Sequence, residues 1–138
     1  STKVLKADIP AAGGRFSAKG LALFYHKLGT GCIVDRNLLD KAFATVNVES
    51  EVKGLQGRTI MSSNSIDQEQ TTRFGLGYQI IELNGNKNAC FGHAGIGGSI
   101  GFFHDGSKTS VAIMLNKGDA EKNVAKKIID TISTHLKW

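Results

Sequence analysis

Cysteine, proline and long apolar runs are scarce in this sequence. Of its 138 residues only two are cysteine, Cys32 and Cys90, and only one is proline. Two thiols cannot staple a small domain, so a disulfide scaffold is excluded and stability must come from burial. No apolar run approaches the ~18 residues that a membrane-spanning helix needs, so no membrane segment is expected. Residues 1–12 lack the apolar stretch of a secretory leader, and the sequence leaves the compartment unassigned. Aromatic residues make up 7% of the chain, and none are interleaved with basic residues in the manner of single-strand binders. The formal charge is +5, but the lysines are scattered, with Lys126-Lys127 the one adjacent pair. That balance reads as a solvated basic face, and no nucleic-acid partner is expected.

The length is sufficient for a core. Surface scaling predicts that roughly two-thirds of the open chain's surface can be buried in one domain. A first amphipathic segment runs from Ser17 to Leu28, with Leu21, Phe24, Tyr25 and Leu28 on one helical face. Ser17 is its natural N-cap, Phe16 is placed to staple onto Leu21, and Gly29 and Gly31 supply the stop. A shorter helix is expected from an Asp35 cap through Leu38, Leu39, Ala42 and Phe43. Residues 47–72 turn polar and glycine-containing, and read as one long irregular connection.

The period then changes. Phe74–Leu83, Lys87–His93, Ser99–His104 and Thr109–Asn116 are short, apolar and rich in aromatic or β-branched residues, as strands are. Asn84-Gly85-Asn86 and Asp105-Gly106-Ser107 have hairpin-turn chemistry. Val111–Leu115 is apolar on both faces, as in a strand covered from both sides. A last helix is expected over Ala120–Trp138, capped by Asp119 and packing Val124, Ile128, Ile132 and Leu136. The fold class expected is α+β, an antiparallel meander of about three strands flanked by N-terminal helices and a long C-terminal helix.

Four patterns could carry chemistry. Gly97-Gly98-Ser99-Ile100-Gly101 matches G-x-S-x-G, and Asp119 or Asp130 and then His135 follow in the order of an α/β-hydrolase triad. That elbow needs a helix after the serine, whereas Phe102-Phe103 and an Asp-Gly turn continue as strand, so Ser99 reads as a strand residue. Cys90 and His93 have C-x-x-H spacing, yet nothing nearby completes a zinc set, and no metal is expected. Ser50-Glu51-Val52-Lys53 matches S-x-x-K, and Ser62-Ser63-Asn64 matches S-x-N. With ten serines and thirteen lysines, about one S-x-x-K arises by chance. The fourth is the glycine-rich stretch Gly92–Gly106, whose glycines permit close backbone or ligand approach. Packing of small residues between strands explains that stretch equally well.

Phe74-Gly75-Leu76-Gly77-Tyr78, then Phe91-Gly92-His93-Ala94-Gly95-Ile96-Gly97-Gly98-Ser99, then the apolar strand ending Met114-Leu115-Asn116, resemble the C-terminal part of the serine β-lactamase-related family. That family includes class C-like β-lactamases, D-alanyl-D-alanine carboxypeptidases and related esterases. Ile9-Pro10-Ala11-Ala12-Gly13 before the Ser17 helix is similar to the family's segment re-entering its α/β domain. The resemblance implies acyl-serine hydrolysis of a small amide or ester by S-x-x-K, [YS]-x-N and [KH]-x-G motifs, with no cofactor. His93-Ala94-Gly95 matches the third motif. By resemblance His93 faces the substrate, Ala94 lines its site, Gly95 admits the acyl group and Ile96 supplies an oxyanion N–H. The S-x-x-K and S-x-N matches fall after the re-entry segment and too close together to be the family's first two motifs. The chain is therefore expected to be a single C-terminal domain or fragment (1–138) lacking the nucleophile and inactive alone. Ala94 stands where penicillin-recognising members carry Thr or Ser, which favours an esterase or peptidase-like parent. The rival expectation is a binding or assembly module, self-associating into a homo-oligomer through an exposed sheet edge.

Overall fold

The computed structural model describes residues 14–44, 73–75, 77–95, 97–119 and 123–138. Helix α1 (Ala18–Gly29) starts as expected, with the Ser17 hydroxyl accepting the Gly20 N–H at 3.0 Å. It ends at Thr30, followed by Gly31 at φ +83°. Gly29 has another duty. A side chain there would run into the Phe103 ring, so the glycine lets α1 lie against the sheet. Helix α2 (Arg36–Ala44) follows, its first turn held by Asp35 Oδ1 accepting the Asn37 N–H at 2.9 Å. The expected connection over 47–72 lies outside the described residues, as does the segment Ile9–Gly13.

Five strands then form one antiparallel sheet in sequence order: β1 (Arg73–Phe74), β2 (Gln79–Leu83), β3 (Asn86–Ala94), β4 (Ile100–His104) and β5 (Thr109–Ile113). The α+β class and the meander stand. Phe74–Leu83 is two strands rather than one, because the chain turns at Gly75–Tyr78, where the Gly75 N–H donates to the Tyr78 carbonyl at 2.9 Å. Asn84 and Gly85, both at positive φ, make the tight β2–β3 turn. Helix α3 (Asn123–Leu136) closes the chain, and Asp119 Oδ2 accepts the Val124 N–H at 2.8 Å.

Alternation along the strands divides the core into two layers. Cys90, Ala94, Ile100, Phe102 and Ile113 pack with Ala125 and Ile129 of α3. Phe91 and Phe103, one residue out of step, pack with Tyr25 and Leu28 of α1 and Leu39 of α2. Strand β4 is buried throughout, as a strand covered by helices on both faces should be. Val111–Leu115, expected to be the strand covered from both sides, instead falls on β5 at the edge of the described sheet. It is only half-buried apart from Ile113, and Met114 is exposed. Gly101 lies under α1, where a side chain would come within 2.6 Å of the Tyr25 ring.

Two helical faces differ from the sequence reading. In α3 the buried positions are Ala125, Ile129 and Ser133, while Val124, Ile128 and Leu136 are exposed. The step-of-four stripe drifts around the helix, and a small alanine brings the backbone closer to the sheet than valine would. In α1, Tyr25 and Leu28 are buried but Phe24 stays 40% exposed, and Phe16 is exposed rather than stapled.

Polar ties fix the lower end of the sheet. Arg36 Nη1 donates to the Gly29 carbonyl at 2.9 Å and to Asp105 Oδ1 at 2.6 Å, joining both N-terminal helices to the β4–β5 turn. Burial works to raise the Asp105 pKa, but hydrogen bonds from Arg36 and Lys108 outweigh it and hold the carboxyl below its ordinary value. At the same end the Trp138 ring stacks on His104, centroids 4.4 Å apart. Asn84 Nδ2 donates to the Trp138 carbonyl at 2.6 Å.

Candidate active site

The strand tip His93-Ala94-Gly95 sits where β3 leaves the sheet. On one side His93 and Ala94 stand opposite Gly101 and Ile100 of β4. On the other, Ala94 donates its N–H to the Gln79 side-chain carbonyl at 2.9 Å. His93 is exposed, Ala94 is buried and Gly95 is exposed. The His93 ring lies 6.5 Å from the Phe74 ring, centroid to centroid. An exposed imidazole on a braced strand can present a polar or cationic group to a ligand without itself being needed for packing.

The glycine loop after the tip is built for a tight reversal. The Gly95 N–H donates to the Ser99 carbonyl at 2.8 Å and the Gly98 N–H to the Gly95 carbonyl at 3.0 Å. Gly98 has φ +88°, and a side chain on it would fall 2.6 Å from the Asp119 carbonyl. The segment leading into α3 anchors the loop from outside. The Asp119 N–H donates to the Gly97 carbonyl at 3.0 Å, and the Leu115 N–H donates to Ser99 Oγ at 3.0 Å. A short loop held at both ends is the kind of frame that fixes backbone donors near a strand tip. Ile96, the residue expected to supply an oxyanion N–H, lies outside the described residues.

The competing patterns dissolve in the fold. Ser99 directly precedes strand β4 rather than a helix, and its hydroxyl accepts the Leu115 N–H, so the nucleophile-elbow match fails. Asp119 is spent on the α3 N-terminus. Cys90 is buried in the α3-facing core while His93 is exposed, so three residues of strand point them to opposite faces and they cannot share a metal. Among the described residues no three His, Cys, Asp or Glu side chains gather as a metal set, and no helix is long and apolar enough to cross a membrane. Burial pushes the Cys90 thiol up to about 12, with Asp105 adding to it, which leaves it protonated and unreactive. Ser50, Lys53 and Ser62–Asn64 lie outside the described residues.

A hydroxyl–imidazole contact appears at the opposite end of the sheet. His104 Nδ1 lies 2.8 Å from Ser107 Oγ, but it also accepts the Ser107 backbone N–H at 3.1 Å. That ring nitrogen is committed to its own turn, and the ring face is covered by Trp138. The pair is a turn clamp. Sequence reasoning missed Gln79 entirely; its one signal was a polar amide opening a strand directly after the Gly75–Tyr78 turn.

With this geometry in hand, comparison with curated proteins finds a relative from Mycobacterium tuberculosis (strain ATCC 25618 / H37Rv) named Esterase/beta-lactamase LipL, 30% identical over 115 residues. This chain is similar to an esterase/β-lactamase. The match covers 83% of the chain and 25% of the relative, so the chain spans about a quarter of the length of the curated protein it matches. The similarity supports a β-lactamase-related esterase grouping, in agreement with the motif resemblance. No protein-family model matches the chain. No solved structure matches it.

Proposed function

We propose that this chain supplies the cleft strand of a serine β-lactamase-like hydrolase, an enzyme that opens small amides or esters through an acyl-serine. The observation that carries this reading is the likeness, over 115 residues, to a protein named as an esterase/β-lactamase. The braced strand tip and its glycine loop support it. In this scheme His93 turns a polar or cationic group toward the substrate, Ala94 lines the substrate site, and Gly95 admits the acyl group to the backbone. Ile96 then donates an N–H to the oxyanion of the tetrahedral intermediate. Ala94 offers no hydroxyl to a β-lactam carboxylate, which favours esters or peptide-like amides as substrates. No serine of this chain is assigned as nucleophile, since Ser99 is engaged with Leu115 and the Ser50 match falls on the wrong side of the family's order. The 138 residues are therefore the C-terminal portion of such an enzyme and turn over nothing alone.

Nitrocefin, a p-nitrophenyl ester and a fluorophosphonate probe test this on the chain as it stands. The expected result is no turnover and no labelled serine. Turnover with stoichiometric labelling of Ser50 overturns it. A longer gene product with S-x-x-K and Y-x-N ahead of Ser1 is expected to hydrolyse the ester. In that product His93→Ala should lower kcat/KM by about 100-fold; an unchanged value removes His93 from the site.

A second reading, self-assembly, is favoured by one observation. Beyond β5 there is no further strand among the described residues, and Thr109–Ile113 carries no charge or proline to discourage pairing. Met114, directly after β5, is exposed. We expect antiparallel β5–β5 pairing between two copies. Sedimentation of a clean monomer over a wide concentration range would exclude it.

A further inference from the structure

Strand β3 outruns its neighbour. Gly92 stands opposite Gln79, the first residue of β2. Continued antiparallel register would bring Gly77 opposite Ala94, but the chain has already left the sheet there, through the Gly75–Tyr78 turn with Gly77 at φ +85°. Ala94 is buried. Its N–H would then point at a missing strand, and an unsatisfied buried donor is costly. The Gln79 side chain fills the gap, its Oε1 accepting that N–H at 2.9 Å. The neighbouring Gly95 N–H points the other way, to the Ser99 carbonyl, as alternation along a strand requires.

We infer that Gln79 is a positioning residue of the candidate cleft: its side-chain carbonyl stands in for the absent strand opposite Ala94 and fixes the edge of His93–Gly95 that a substrate meets. This rests on the reading of His93-Ala94-Gly95 as the cleft strand, but only for its consequence. The bracing itself is a property of the folded chain and is measurable without catalysis. Glutamine suits the task because its amide reaches one residue pair further than a backbone carbonyl of β2 could. Asparagine is one methylene too short.

Amide hydrogen exchange on the ¹⁵N-labelled chain tests the inference. Gln79→Met keeps the length and removes the acceptor; Gln79→Glu keeps an acceptor oxygen. Loss of one hydrogen bond corresponds to about tenfold faster exchange. The expected result is that increase at Ala94 in Gln79→Met, with Gly92 and Phe102 unchanged, the His93 ring resonances displaced, and wild-type behaviour recovered in Gln79→Glu. Gln79→Asn is the second variant should Gln79→Met fail to fold, and the same increase is expected. Unchanged exchange at Ala94 overturns the inference, and so does an equal rise across Gly92, Ala94 and Phe102, which would mean general loosening. Because exchange reads no hydrolysis, failure here leaves the hydrolase proposal standing. A failed esterase test likewise leaves the bracing intact.

Discussion

Gly97 and Gly98 are adjacent in sequence, and the structure predicts opposite responses to the same added methyl group. At Gly98 an alanine meets two costs. Its backbone has φ +88°, where an L-residue is disfavoured by ~1–2 kcal/mol. Its Cβ would also lie 2.6 Å from the Asp119 carbonyl and 3.1 Å from both Asp119 Cβ and Leu115 Cδ1. The carbonyl is backbone, and the Asp119 N–H is tied to Gly97, so relief requires separating two loops at a further ~1–3 kcal/mol. Gly98→Ala should therefore cost about 2–5 kcal/mol. At Gly97 nothing lies within 4 Å of an added Cβ and no positive φ is involved. Gly97→Ala should fall within about 0.5 kcal/mol of wild type, or stabilise slightly by restricting the unfolded chain. Urea denaturation followed by fluorescence of the single tryptophan, Trp138, resolves the pair. With a slope of ~1–3 kcal/mol/M, Gly98→Ala should lower the midpoint by roughly 1–2 M. Coincident midpoints for the two variants would refute the reasoning, because they would mean that the loop anchorage to Asp119 carries no energy.

Other consequences are as direct. Burial lowers the His104 pKa below its ordinary 6.5, against an opposing pull from Asp105, so the unfolded chain binds that proton first. The ordinary Asp105 value is 3.8, and its folded value is lower. Stability contributed by each is complete above the unfolded pKa and is lost as pH falls through the folded one. Urea midpoints should decline in two steps, beginning below about pH 6.5 and again below about pH 4, and His104→Gln should remove the first. A thiol reagent should label exposed Cys32 in the native protein and buried Cys90 only on unfolding; equal rates would contradict the burial of Cys90. Ile129→Ala, at a site with 0% exposure, should cost ~2–5 kcal/mol in the same urea assay. Ile128→Ala, one residue away and exposed, should cost about 0.5 kcal/mol, and the reverse ranking would mean that α3 is rotated.

Local rules carried the element sequence. The Ser17 and Asp35 caps, the Asn84-Gly85 turn and the switch from helical to alternating period each depend on neighbours within a few residues, so they could be read without knowing the fold. The strand tip was legible too, because His93-Ala94-Gly95 and its glycines form an ordered motif. Other features were not, for a consistent reason. Val124, Ile128, Ile132 and Leu136 make a better apolar stripe than Ala125, Ile129 and Ser133, yet the sheet takes the latter, because close approach rewards small residues.

The sequence by itself determined that this is an α+β chain with an antiparallel meander and a glycine-framed histidine, since hydrophobic period, caps and turn residues act locally. It put the strand covered on both faces at Val111–Leu115, whereas the packed sheet buries β4. Only the tertiary structure decided which helix faces are buried, that the Ser99 hydroxyl anchors the Leu115 N–H, and that Gln79 braces Ala94. Each of those depends on residues distant in sequence becoming neighbours: Leu115 beside Ser99, Gln79 beside Ala94, Phe103 against Gly29. A glycine or a glutamine in a string of letters does not say what will lie within 3 Å of it. The packed sheet does.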